Sequence, residues 1–93
     1  MLVGTAIIRL RASWVASLKE KRMIVKSILG RVKNKFNVSI AEIAEQDTHQ
    51  TIVLGLAFVA ASTAQADSIT DHVLDFIEEN TEAEIIDVVR EIR

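Results

Sequence analysis

Apolar and polar residues alternate along Leu2–Leu10, where every even position is apolar or glycine. This two-residue period predicts a β-strand with one buried face. Val38–Ile43 and Thr51–Val59 are also predicted to be strands, and the short polar turn between them predicts a hairpin. The last predicted strand is Glu84–Ile92.

Two other segments repeat their apolar residues at the spacing of an α-helix. In Ser17–Lys35 the apolar side chains fall on one stripe at about 100° per residue, and Ser17 with Glu20 has the pattern of a capping box. The second helix is predicted from Ser62 to about Asn80, where Ser62 and Gln65 repeat that pattern. Its outward face is expected to be acidic, either as a solvated face or toward a basic partner.

The order of these elements indicates the fold class. Each helix links two strands that should lie parallel with one strand between them, and right-handed crossovers then place both helices on the same face of the sheet. We therefore expect an α+β protein with a ferredoxin-like β-α-β-β-α-β sandwich. A single domain over residues 1–93 would contain a four-stranded antiparallel sheet with two helices on one face.

The composition excludes several classes of protein. Cysteine is absent, which rules out a disulfide framework, a disulfide-linked partner, a thiol nucleophile and a Cys-ligated metal site. The most apolar run, Thr51–Ala61, is far shorter than the roughly 20 residues that span a bilayer. Because the N-terminus also lacks the basic region of a signal peptide, we expect a cytoplasmic protein with no membrane partner.

Charge is distributed unevenly, although the net charge is only −2. Residues 1–35 contain nine Lys and Arg and one acid, whereas residues 36–93 contain two Lys and Arg and twelve acids. Four basic residues of the first helix fall within about 60° of one another, next to Gly30. Together with one arginine of the first strand they are the predicted contacts for nucleic-acid phosphates: Arg9, Lys19, Arg22, Lys26 and Lys33.

The alternative for these residues is a solvated helix face whose long side chains cover apolar surface. The remaining basic residues of the helix, Lys21, Arg31 and Lys35, are expected on the other flank of the apolar stripe. Trp14 precedes the helix in a loop, where it is predicted either to anchor a partner or to fold over the end of the core.

The sheet face without helices is a second candidate surface. Its residues are mostly aliphatic, small or Thr, which disfavours the stacking of bases on aromatic side chains that RNA-recognition motifs of this topology use. A partly apolar face indicates instead a second copy of the chain as partner, with Ile7, Val53 and Val59 as predicted contacts. The alternative is a monomer whose exposed face carries scattered apolar side chains.

Two motifs carry a resemblance to a known family. Ser17-Leu18-Lys19-Glu20-Lys21-Arg22 and Phe36-Asn37-Val38-Ser39-Ile40-Ala41-Glu42 resemble the YlxP-like family of small uncharacterised bacterial proteins. The likeness continues through Gln46-Asp47, Gln50 and Leu54-Gly55-Leu56-Ala57, so it covers most of the chain. It implies a ferredoxin-like fold and no established activity. Genes of this family often lie among those for transcription elongation, translation initiation factor two and ribosome-binding factor A, which implies an RNA or ribosome context.

Catalytic chemistry has little support in these residues. His49 and His72 are the only histidines, and no third ligand lies at the spacing of a metal site. An acylphosphatase-like hydrolase of this topology would need a phosphate-holding loop after the first strand, and Arg11–Ser17 contains no glycine. We therefore expect no catalytic, cofactor-binding or metal-binding residues and no cofactor.

The sequence thus favours a non-enzymatic accessory domain associated with RNA or the ribosome through its basic first helix. A homodimeric interaction module that uses the open sheet face is the alternative. The acylphosphatase-like hydrolase is a more remote one.

Overall fold

Six elements follow one another in the predicted β-α-β-β-α-β order in the computed structural model, which describes all of residues 1–93. Every predicted boundary is confirmed to within one residue. The elements are β1 Leu2–Arg11, α1 Leu18–Lys35, β2 Ser39–Ala44, β3 Thr51–Ala60, α2 Thr63–Asn80 and β4 Glu84–Ile92. Neither helix is sufficiently long and apolar to cross a lipid bilayer.

Both helices begin at the serines that the sequence indicated. The hydroxyl of Ser17 accepts a hydrogen bond from the backbone N–H of Glu20 at 3.1 Å, and Ser62 accepts one from Gln65 at 3.2 Å. The Gln65 side chain also reaches back to accept from the N–H of Ala61. Each serine satisfies an N–H that the first helical turn leaves without a partner, which sets where the helix starts.

The four strands form one antiparallel sheet in the order β2-β3-β1-β4. The central strands β1 and β3 pair along their whole length, from Leu2 opposite Ala60 to Arg11 opposite Thr51. On one face of this sheet α1 lies closest to β2, while α2 lies against β1, β3 and β4. The predicted two-layer sandwich is confirmed, and its other sheet face has no covering element.

The core lies between the sheet and the helices. The side chains that fill it recur at every second position in the strands and about every 3.6 positions in the helices. Even positions of β1 and β3, such as Ile8 and Leu54, are fully buried, and they meet Val25, Ile28 and Val32 of α1. Along its other flank α1 touches α2, where the rings of Phe36 and Phe76 pack edge to face at 5.5 Å.

Lys21 is the one charged side chain in this core. It is only 1% exposed, its Nζ lies 3.0 Å from Glu42 Oε2, and it donates a hydrogen bond to the carbonyl oxygen of Glu45. The prediction that placed Lys21 on a flank was wrong, because at 100° per residue it falls between Ile28 and Val32 in the middle of the buried stripe. The angles between Lys21 Nζ and Glu42 Oε2 are not those of a hydrogen bond, so the two groups attract each other as opposite charges.

We expect Lys21→Met to lower the free energy of unfolding by about 3 kcal/mol, because it leaves the largely buried Glu42 carboxylate without its counter-charge. Glu42→Leu should cost a similar amount. The double variant should cost less than the sum of the two by about 1–3 kcal/mol, since it removes both charges together. Urea unfolding of the four proteins measures this coupling, and strictly additive effects would show that the pair contributes nothing.

Gly4 lies where β1 passes beneath an aromatic ring. A Cβ at this position would lie 2.3 Å from Cζ of Phe58, which is itself buried. A Cβ on Gly30, in the middle of α1, would meet no atom within 4 Å. The first glycine is therefore fixed by packing, whereas the second is not.

Gly4→Ala should destabilise the protein by about 1–3 kcal/mol, because the Phe58 ring has to leave its packed position. The matched change Gly30→Ala should stabilise it by about 0.5–1 kcal/mol, since alanine restricts the unfolded chain and meets no clash in the helix. Urea midpoints of both variants test this, and a stable Gly4→Ala protein would contradict the packing argument.

Candidate functional site

A cleft of about 420 Å³ lies between α1 and the edge strand β2. Three cationic side chains of α1 line it, those of Arg22, Lys26 and Lys33. Gly30 contributes no side chain and leaves the middle of the cleft open, while Glu42 of β2 lines it from the sheet side. The structure therefore brings three of the five predicted phosphate contacts into one concave site.

The cations on this edge of α1 have no internal partner. The ion pairs of the structure are Lys21–Glu42, Arg90–Asp71 and Arg93–Glu91, so none involves the cleft cations or Lys19. Their side chains also form no hydrogen bond within the protein. All three cleft cations are exposed, so they remain free to bind an anion.

The opposite flank of α1 behaves differently. The guanidinium of Arg31 donates a hydrogen bond to Asn80 Oδ1 at 3.0 Å, and Lys35 Nζ lies 5.0 Å from the centre of the Phe76 ring. Both basic residues of this flank therefore contact the rest of the fold, as does Lys21 in its buried ion pair in the middle of the stripe. The basic residues of α1 thus divide into a set that holds the fold together and a set that faces solvent.

Glu42 is the site residue that sequence reasoning missed. Its Oε2 is buried against Lys21, but the side chain as a whole is 17% exposed and reaches the cleft wall. The alternation along β2 was a sufficient signal, because Ile40 points into the core and the residue two positions later must share that face. The cleft therefore contains one carboxylate, partly neutralised by Lys21, among its cations.

The other two predicted phosphate contacts lie outside the cleft. Lys19 is exposed near the start of α1, one turn before Arg22 on the same edge of the helix. Arg9 is at an odd position of β1 and is exposed on the sheet face that the helices do not cover. Grouping Arg9 with the helix was therefore wrong, because strand alternation separates them by the thickness of the sheet.

The open sheet face contains two of its three predicted contacts. Ile7 is 43% exposed and Val59 is 61% exposed. Val53 is only 2% exposed, so its prediction as a partner contact was wrong. It lies on a central strand between Arg9 and Ala44, and a bulge in the neighbouring strand adds Ile43 to the same face. These neighbours leave Val53 no exposed surface.

Trp14 lies on a different side of α1 from the cleft. Its half-exposed ring borders a groove of about 280 Å³ together with Met23 and the residues that follow α2, Thr81 and Glu82. The ring therefore forms one wall of this groove and keeps an exposed surface. It is not positioned to contact a ligand held by the cleft.

The loop between β1 and α1 is held in place by side-chain hydrogen bonds at both of its ends. The Gln50 side chain donates to the carbonyl oxygens of Ser13 and Val15, and Ser17 caps the helix. His72 Nδ1 lies beside the backbone oxygen of Ser68, in α2 and away from this loop. No group of three His, Cys, Asp or Glu side chains is placed to hold a metal ion.

Solved structures with the same architecture include two designed proteins. The de novo designed protein LFR1 1 with ferredoxin fold matches with a TM-score of 0.54 and 19% identity, over 100% of this chain and 85% of the design. The de novo designed protein Foldit4 matches with a TM-score of 0.50 and 15% identity, over 99% of this chain and 94% of that one. At these identities the likeness shows the fold alone.

Similarity in sequence is more specific. The uncharacterized protein YlxP of Bacillus subtilis (strain 168) is 52% identical over 68 residues, which cover 73% of this chain and 74% of that protein. The family model described as "Protein of unknown function (DUF503)" matches residues 3–90. The predicted YlxP-like resemblance is thereby confirmed, and the chain belongs to the DUF503 family.

Proposed function

We propose that this protein is a non-enzymatic accessory domain that binds structured RNA, in a ribosomal context, through the cleft between α1 and β2. The observation that carries the proposal is the set of three exposed cations, Arg22, Lys26 and Lys33, that line one cleft without any ion pair. Cations that the fold does not use and that repel one another are best explained by an external anion.

The spacing of these cations suits a polyanion better than a single small anion. Arg22 and Lys26 are one helical turn apart, and Lys33 lies two turns further along the same edge. With Lys19 the row extends over about 21 Å at 1.5 Å per residue. A single phosphate cannot contact both ends of such a row, whereas successive phosphates of a nucleic-acid backbone can.

RNA is favoured over DNA by the form of the site. The cations follow one edge of α1 beside Gly30, and no long helix protrudes that could enter the major groove of B-form DNA. A row of cations that contacts successive phosphates recognises the shape of the backbone, and proteins that bind double-stranded RNA recognise it mostly in this way. The gene neighbourhood that the family resemblance implies points in the same direction.

Binding of a fluorescently labelled RNA hairpin should weaken steeply with salt, with a slope of about 2–4 in log K against log salt concentration for three to four phosphate contacts. Replacing Arg22, Lys26 and Lys33 together by Gln should reduce the slope by about 1 per cation and lower the affinity at least tenfold at low salt. Fluorescence anisotropy titrations from low to high salt measure both quantities.

A matched control also removes three positive charges, but from the open sheet face on the other side of the molecule, with Arg9, Arg11 and Arg93 replaced by Gln. Circular dichroism should show both triple variants folded. The control should keep at least most of the wild-type affinity. Equal losses in the two variants, or unchanged binding by the cleft variant, would contradict a site at the cleft.

We also expect no hydrolysis of a generic acyl phosphate above the uncatalysed rate. The loop after β1 contains no glycine that would let its backbone wrap around a phosphate, its carbonyl groups accept hydrogen bonds from Gln50, and Ser17 caps α1. A colorimetric assay of acetyl phosphate with the wild type measures this. Turnover that saturates with substrate would favour the hydrolase instead.

A further inference from the structure

The open sheet face has an uneven distribution of large and small side chains. Strand pairing aligns four outward residues in one row across the sheet, Ala41, Gly55, Ile7 and Val89, in the order β2-β3-β1-β4. The two residues on the β2–β3 side are small, and the two on the β1–β4 side are large. Ile7 is 43% exposed and Val89 is 49% exposed.

The small residues form a depression in this face. It has a volume of about 370 Å³ and lies over Ser39, Ala41 and Ala57, with Ile7 and the side chain of Arg93 at its border. Ile43 leans over Gly55 and forms another wall, because a Cβ on that glycine would lie 2.9 Å from the isoleucine methyl group. Along this row the β2–β3 side is therefore hollow and the β1–β4 side protrudes, although Ile43 and Val59 are large exposed residues of the β2–β3 side outside the row.

We propose that this face binds a second copy of the chain about a two-fold axis that runs parallel to the strands. Such an axis lays β1 of one copy over β3 of the other, and β4 over β2. Ile7 of each copy then lies over the depression of its partner, and Val89 lies opposite Ala41. The interface is isologous, as in most homodimers. This proposal is independent of the RNA-binding one.

The charges on the face select this axis over the perpendicular one. Arg9, Asp87, Glu91 and Arg93 all lie on the β1–β4 half, while the outward positions of β2 and β3 carry no charge. A two-fold axis parallel to the strands therefore sets no like charges against each other. An axis in the interface that runs perpendicular to the strands through the row of Ile7 and Val89 would place Glu91 of one copy opposite Asp87 of the other, which is unfavourable.

The size of the face also fits a stable dimer. Four strands about 4.8 Å apart, with up to ten residues at about 3.4 Å each, give a projected area of roughly 600 Å². The accessible surface of such a face is larger than its projection because side chains protrude from it. A standard interface buries about 800 Å² on each partner, so this face is of the required order.

The two clefts stay open in this dimer. The helices lie on the outer faces of the two sheets, so the α1–β2 cleft of each copy points away from the interface. RNA binding at the clefts and pairing of the sheets can therefore succeed or fail separately. Variants on the sheet face that retain RNA affinity would show this independence.

Light scattering of the wild type at tens of micromolar should give twice the 10.3 kDa of one chain. A clean monomer mass at that concentration would overturn the proposal. Ala41→Glu and Val89→Lys, each at an exposed position, should separately raise the dissociation constant of the dimer at least tenfold. The control Met23→Lys replaces an exposed apolar residue of α1 outside the face and should leave the mass unchanged.

The double variant Ala41→Glu/Val89→Lys tests the axis. Positions 41 and 89 lie on opposite edge strands of one copy, but the proposed axis brings the new glutamate of one chain against the new lysine of the other. Dimerisation should therefore recover to within about threefold of the wild type. A double variant that dimerises no better than the single variants would overturn the proposed axis, because a perpendicular axis sets like charges together.

Discussion

The ion pair between Lys21 and Glu42 fixes the position of α1 against the hairpin, and the cleft depends on that position. Lys21 lies in the middle of the buried stripe of the helix, and its Nζ also donates to the carbonyl oxygen of Glu45, the residue that follows β2. If α1 rotated, the ammonium group of Lys21 would move into the apolar core, and the carboxylate of Glu42 would lose its counter-charge. Because Arg22 follows directly in the chain, the same constraint turns it toward the cleft.

This constraint changes what the family motif means. Ser17 caps α1, Lys21 is buried, Glu42 is its counter-charge, and Gln50 holds the loop after β1. Residues that carry the resemblance are therefore largely residues that build the scaffold. The side chains offered to a partner are the ones that the fold leaves without contacts, such as Arg22 at the end of the first motif and Lys26 beyond it.

The sequence was sufficient for the fold because alternation in the strands and the two serine caps act locally. It was insufficient for the site wherever a distant contact decides. Lys21 sits on an apolar stripe that periodicity alone could have identified, yet its burial depends on a carboxylate 21 positions later in a different element. Val53 follows the outward pattern of β3 correctly, but a bulge that brings in Ile43 covers it. Arg9 is a different case, because its odd position in β1 already placed it on the exposed face, so alternation alone could have separated it from the cations of α1.

The layered architecture then separates two kinds of surface. Cations without partners collect at the α1–β2 edge on the helix side, and exposed aliphatic side chains collect on the bare side of the sheet. Electrostatic binding at the first is long-ranged and depends on salt, whereas apolar packing at the second depends on shape and hardly on salt. A change in salt concentration should therefore act on RNA binding while leaving the pairing of the sheets nearly unaffected, which makes the two surfaces separable in solution as they are in the fold.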